Sequence, residues 1–202
     1  GTAVESDYTL SEDIGTLEVK TSTAELKVES LDGEWVYDGS AHTKVQYKVT
    51  FGTEVQEGTE GQTEFTLSTG DKVTITPAAA ATITHVADTT VDNAFTWSVE
   101  HEDFYTKGED TVGKLTVKPA ELTIVTNSDS KEYDGEALTA GGTATFGETE
   151  TALTAGEDVT VALAGSETIT VKITGTQTLV GSSENKYEIT WGDVASTDYK
   201  VT

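Results

Sequence analysis

Hydrophobic and polar positions alternate along this chain with a period of two. In AELTIVT, Ala120 to Thr126, Leu122, Ile124 and Thr126 share one side while Glu121, Thr123 and Val125 share the other. DKVTIT, AFTWSVE, DVTVALAG and ETITVKITG repeat the pattern, which predicts half-buried β-strands rich in the Thr, Val, Ile and aromatic residues that suit a pleated surface. Asp32-Gly33, Asp38-Gly39, Gly141-Gly142, Gly156-Glu157 and Gly181-Ser182 separate the runs and read as turns. No segment carries a 3.6-residue stripe. The one helix-favouring run, TPAAAAT from Thr76 to Thr82, is too short to nucleate alone.

The strand pattern occurs twice. AELKV at Ala24 and AELTI at Ala120 lie 96 residues apart, as do Tyr37-Asp38-Gly39 and Tyr133-Asp134-Gly135. Farther on, ATIT from Ala81 aligns with ETIT from Glu167, and AFTW ending at Trp97 aligns with EITW ending at Trp191, each followed eight positions later by a tyrosine, Tyr105 or Tyr199. GTAVESDY at the start matches GDVASTDY from Gly192, and IGTLEVK from Ile14 matches VGKLTVK from Val112. Residues 1–20 therefore read as the closing strand of a preceding repeat, residues 21–118 as a first copy, and residues 119–202 as a second copy that stops before its own closing strand. About seven short strands per copy predict an all-β chain of two tandem antiparallel β-sandwich domains of immunoglobulin-like type, with β-grasp-like domains as the alternative. Only Pro119 separates the copies, which favours a stiff, elongated stack over flexibly linked beads.

Composition narrows the role. The chain has 202 residues, is 35% hydrophobic and carries a net charge of −24, from twelve lysines, no arginine and thirty-six acidic residues. Such a field repels phosphate backbones and anionic lipid, so neither nucleic-acid binding nor membrane association is expected. No stretch is long and apolar enough to insert into a bilayer. Cysteine and methionine are absent, which removes disulfides, thiol nucleophiles and zinc-finger ligands. No nucleophile elbow or phosphate loop appears either, and no enzymatic activity is expected.

PAELTIVTNSDSKEYDGEAL, from Pro119, and GTQTLVGSSENKYEITWGDVASTDYKVT, from Gly175, resemble the tandem Y-D-G, mucin-binding-like (MBG-type) repeats of large surface adhesins of Gram-positive gut bacteria. The resemblance covers nearly the whole chain, once per copy plus the leading fragment. The first copy departs from it at TPAAAATITHVADTTVDNAF. It implies an extracellular, cell-wall-associated stalk or adhesin on the bacterial surface, whose partners are neighbouring repeats or identical subunits. The family's name suggests a host glycan or mucin as a further partner.

The individual residues support structural roles. Tyr37, Asp38, Gly39 and their counterparts Tyr133, Asp134 and Gly135 read as a repeated turn, with Asp bonding its local backbone and Gly supplying positive φ. Trp97 and Trp191 read as core anchors, while Trp35, which has no counterpart, is the expected exposed aromatic for a sugar. His42, His85 and His101 do not recur. Acidic clusters at Glu57 to Glu60, Glu100 to Asp103 and Glu109-Asp110 lack a dedicated calcium-loop spacing. They read as solvated turns, with calcium at the repeat boundary as the second reading and no other cofactor. Lys27 or Lys131 with Asn93, Asn127 or Asn185 would be the partners of an isopeptide cross-link, but no pair repeats and no bond is expected. A rival to the stalk follows from the second copy's open edge: Ile14, Leu17 and Val19, within residues 12–20, would be a donor strand inserted into a neighbouring chain to build a head-to-tail filament.

Overall fold

The computed structural model describes residues 13–202; the part of the leading fragment in residues 1–12 lies outside them. The fold is all-β. In the second copy, β11 (Ala120–Thr126), β12 (Gly142–Phe146), β13 (Thr149–Leu153) and β17 (Tyr199–Val201) form one sheet in the order β13-β12-β11-β17. β14 (Asp158–Ala162), β15 (Thr168–Ile173) and β16 (Tyr187–Thr190) form the other. The first copy repeats this plan strand for strand. β4 (Glu54–Glu57), β3 (Tyr47–Phe51), β1 (Glu25–Ser30) and β9 (Thr106–Lys107) make the first sheet, and β5 (Glu64–Thr66), β6 (Lys72–Pro77) and β8 (Phe95–Val99) the second. It then adds a third sheet, β2 (Gly33–Val36), β10 (Lys114–Lys118) and β7 (Val91–Asp92), in the order β2-β10-β7. Most ladders are antiparallel, but β1–β9, β2–β10 and β11–β17 are parallel. No described helix is long and apolar enough to cross a membrane.

Alternation produces the cores. Along β1 the pattern buries Leu26, Val28 and Ser30, and along β11 it buries Ala120, Leu122 and Ile124. Leu26, Val28, Tyr47, Val49, Phe65 and Val73 belong to a core within the first copy. The other cluster crosses Pro119: Tyr37, Ile83, Leu115 and Val117 of the first copy pack in one group with Leu122, Ile169, Val171 and Tyr199 of the second. Among the described residues every ladder stays on its own side of Pro119, while the packing runs through it.

The ladders also correct the sequence alignment. Thr74 lies opposite Ser98, and Thr170 lies opposite Thr190, so ETIT is the counterpart of the stretch beginning at Asp71 and not of ATIT. Trp97 corresponds to Ile189, and Trp191 to Val99. A two-residue slip keeps every side chain on its own face of the sheet, so the tryptophan match looked regular although the register had moved. Two of the expected turns also differ. Gly33 and Gly142 start β2 and β12. A Cβ at Gly33 would collide with the Trp35 ring, and one at Gly142 with the Val125 carbonyl, so close approach selects glycine there.

The first copy holds an asparagine that ties its loops together. Asn93, 1% exposed, donates from Nδ2 to the carbonyls of Leu31 at 2.8 Å and Lys44 at 2.9 Å. In the second copy Asn185 donates to Asn127 and Ala140, each at 3.0 Å. These acceptors sit at equivalent positions, so Asn93 and Asn185 are a repeated structural clamp. In the structure both side-chain nitrogens are hydrogen-bonded to backbone.

Candidate functional site at the repeat junction

The polar side chains that link the two copies gather where β10 passes through Pro119 into β11. The Tyr37-Asp38-Gly39 turn stands on the first-copy side. Asp38 Oδ1 accepts from the Ser40 amide at 2.8 Å and pairs with His42 Nε2 at 3.0 Å, and the amide bond holds its carboxyl below the usual range. Gly39 has φ of 80°, and a Cβ there would touch the Gly165 backbone of the second copy at 3.4 Å. Tyr37 is buried, and its amide donates to Lys118 O at 2.8 Å.

Across the junction Tyr37 Oη donates to Glu167 Oε1 at 3.0 Å, and Tyr199 Oη donates to the other oxygen of the same carboxylate. Tyr199 Oη in turn accepts from the Ala164 amide at 3.2 Å. The Tyr37 ring meets Tyr199 edge-on at 5.4 Å and stacks on His85 at 5.8 Å. Burial, and then the hydrogen bond to Glu167, push the Tyr37 hydroxyl up to about 12 and raise that of Tyr199 as well. Both therefore remain protonated donors.

Asp198 supplies the second link. It is 0% exposed and closes the 3-10 turn Ser196–Asp198. Its Oδ1 accepts from the Val86 amide at 2.7 Å, and its Oδ2 pairs with His85 Nδ1 at 2.7 Å. A carboxylate taken fully out of water needs such partners, and both come from the other copy. The hydrogen bond to Asp198 holds the His85 ring above its ordinary pKa. The arrangement is a bracket: two carboxylates of one repeat are gripped by a tyrosine, a histidine and an amide of the other.

The remaining expected residues are distributed as follows. Asp134 Oδ1 accepts from the Glu136 amide at 2.9 Å, and Lys131 at 2.7 Å lowers its carboxyl; Gly135 has φ of 86°. Tyr133, unlike Tyr37, is 65% exposed. Trp35 is not a free-standing aromatic. It is half-buried, lies over Gly33 and stacks on His42 at 4.9 Å with the rings 10° apart. Trp97 donates from Nε1 to Asp110 Oδ2 at 2.7 Å, and Asp110 Oδ1 accepts from the Val28 amide at 2.8 Å. Both oxygens of this boundary carboxylate thus have protein partners. Among the described residues no group of three or more His, Cys, Asp or Glu could hold a metal ion. Ile14, Leu17 and Val19 lie in a stretch without regular structure or ladder partners and are 81%, 100% and 99% exposed.

Sequence reasoning placed the Tyr-Asp-Gly turn but missed Asp198, Glu167 and His85: His85 does not recur, and matching ETIT to ATIT hides the correspondence of Glu167 with Asp71. Comparison with known proteins finds no matching family model, no matching curated protein and no matching solved structure.

Proposed function

We propose that this chain is a non-enzymatic spacer segment of a bacterial cell-surface protein, whose repeats stack stiffly to hold a binding region away from the wall. The observation that carries this reading is the junction: one proline between strands, an apolar cluster running through it, and the bracket on Asp198 and Glu167. In a quasi-linear array such nearest-neighbour contacts determine whether the repeats move together. The net charge of −24 suits a solvated, exposed shaft. The surface location is taken from the resemblance to MBG-type repeats. A glycan-binding module has less support, since Trp35 already stacks on His42.

Small-angle scattering of the 202-residue chain tests the spacer reading. A single fixed angle between the repeats is expected, and the double variant Asp198→Ala/Glu167→Ala should broaden it. A wild-type curve that requires a wide spread of angles would sink the proposal.

A further inference from the structure

The two tyrosines of the junction belong to different repeats: Tyr37 follows β2 and Tyr199 opens β17. They are 4% and 6% exposed, and their rings meet edge-on at 5.4 Å, within the contact range of an aromatic pair. Both hydroxyls donate to Glu167, one to each carboxylate oxygen. The hydroxyl ends, with the ortho carbons beside them, therefore converge on one point between the repeats. Among the described residues no other aromatic contact joins two tyrosines: Tyr47 meets Phe95, and Tyr105 meets Phe51. The chain has no cysteine or methionine to take up oxidising equivalents, which leaves its tryptophans and tyrosines as the readily oxidised side chains. Trp191 is half-buried, and its ring lies 5.8 Å from that of Tyr199, so it connects the buried pair to the surface. We propose that Tyr37 and Tyr199 are an oxidative cross-linking site, at which a peroxide joins the two repeats through a dityrosine bond.

The chemistry balances with the groups present and one oxidant. Neither hydroxyl ionises unaided, since burial and the bond to Glu167 hold both phenols protonated. Each tyrosine therefore gives up its proton together with one electron. Glu167, the shared hydrogen-bond acceptor, takes the proton from each in turn, and because it is only half-buried it passes the proton to water. The electrons leave through Trp191 to the peroxide, whose O–O bond breaks as it accepts the two. The paired phenoxyl radicals join through a new bond between their ortho carbons. The hydrogens those carbons carried move to the oxygens and restore both phenols. The sum is loss of two hydrogens from the protein and reduction of one peroxide, hydrogen peroxide to two waters or persulfate to two sulfates. The bond closes a loop from residue 37 to residue 199 and constrains the unfolded chain. It also turns the contact at Pro119 into a covalent tie. Only this use, locking a shaft, rests on the spacer reading.

Illuminating the 202-residue chain at micromolar concentration with tris(bipyridine)ruthenium and persulfate tests the site, with the fold checked by circular dichroism. The expected product is a monomer lighter by two hydrogens that shows dityrosine fluorescence and a raised melting temperature. Cleavage after lysine should then yield the peptide of residues 28–44 bound to that of residues 187–200, with fragmentation placing the bond on Tyr37 and Tyr199. Tyr37→Phe and Tyr199→Phe keep the rings and should each abolish this product. Glu167→Gln removes the base and should lower its yield about tenfold or more. Unfolding in urea before illumination should remove it too. A folded monomer without the bond, a bond mapped only to other tyrosines, or a 37–199 bond formed equally well in Glu167→Gln or in urea would each overturn the proposal. Its failure leaves the scattering test of the spacer reading unaffected.

Discussion

Replacing Asp198 with alanine removes the acceptor of two hydrogen bonds that cross from one repeat to the other. A hydrogen bond to a charged group contributes about 1.5–3 kcal/mol. The bond from the Val86 amide, at 2.7 Å to a fully buried carboxylate, belongs in that range. The bond from His85 contributes less, because its side chain is 47% exposed and water replaces the lost partner, so a surface-pair value of about 0.5 kcal/mol applies. Removing the carboxylate also relieves its own desolvation, which offsets part of the sum. The net expectation is a loss of about 2 kcal/mol. Asp198→Asn keeps an acceptor for the Val86 amide and should cost about 1 kcal/mol, and His85→Ala less than that. Urea unfolding followed by tryptophan fluorescence measures all three, and hydrogen exchange at the Val86 amide localises the effect. The reasoning fails if Asp198→Ala costs under about 0.5 kcal/mol, or if His85→Ala costs more than Asp198→Ala.

Three further outcomes are expected. The folded protein raises the pKa of His85, so its contribution is complete below the ordinary histidine value near 6.5 and is lost as pH rises through the raised value. Exchange protection at Val86 should therefore be greater at pH 6 than at pH 9, with the difference abolished by Asp198→Asn. Asn93→Ala strands two carbonyls and should destabilise by about 2–4 kcal/mol; Asn185→Ala, at a more exposed site, should cost less, and denaturant midpoints decide the order. Gly113→Ala forces a methyl against the Leu31 and Ser30 carbonyls and should cost more than about 2 kcal/mol, while Gly15→Ala leaves the melting temperature of the dilute chain unchanged.

Fold class was legible because AELTIVT and its relatives alternate with period two, and the repeat because Tyr37 and Tyr133 stand at a constant offset. The register of β8 against β16 was not, since a slip of two residues preserves the in–out pattern and made Trp97 and Trp191 look equivalent. The junction was hidden for a different reason. Asp198 ends the 3-10 turn Ser196–Asp198 where the matching turn of the first copy, Glu102–Phe104, ends in an apolar residue, and self-comparison rewards likeness. Only the packing of one copy on the other through Pro119 brings His85 and Asp198, more than a hundred positions apart, onto one contact.

The hand-off through Pro119 also fixes how the molecule carries load. Tension on the second copy reaches the first along the axis of β10, which lies parallel to β2 over Gly33–Val36. A lengthwise pull slides one strand past its neighbour, so the rungs between them must rupture together instead of opening singly like a zip. A strand pair loaded this way yields abruptly and at high force.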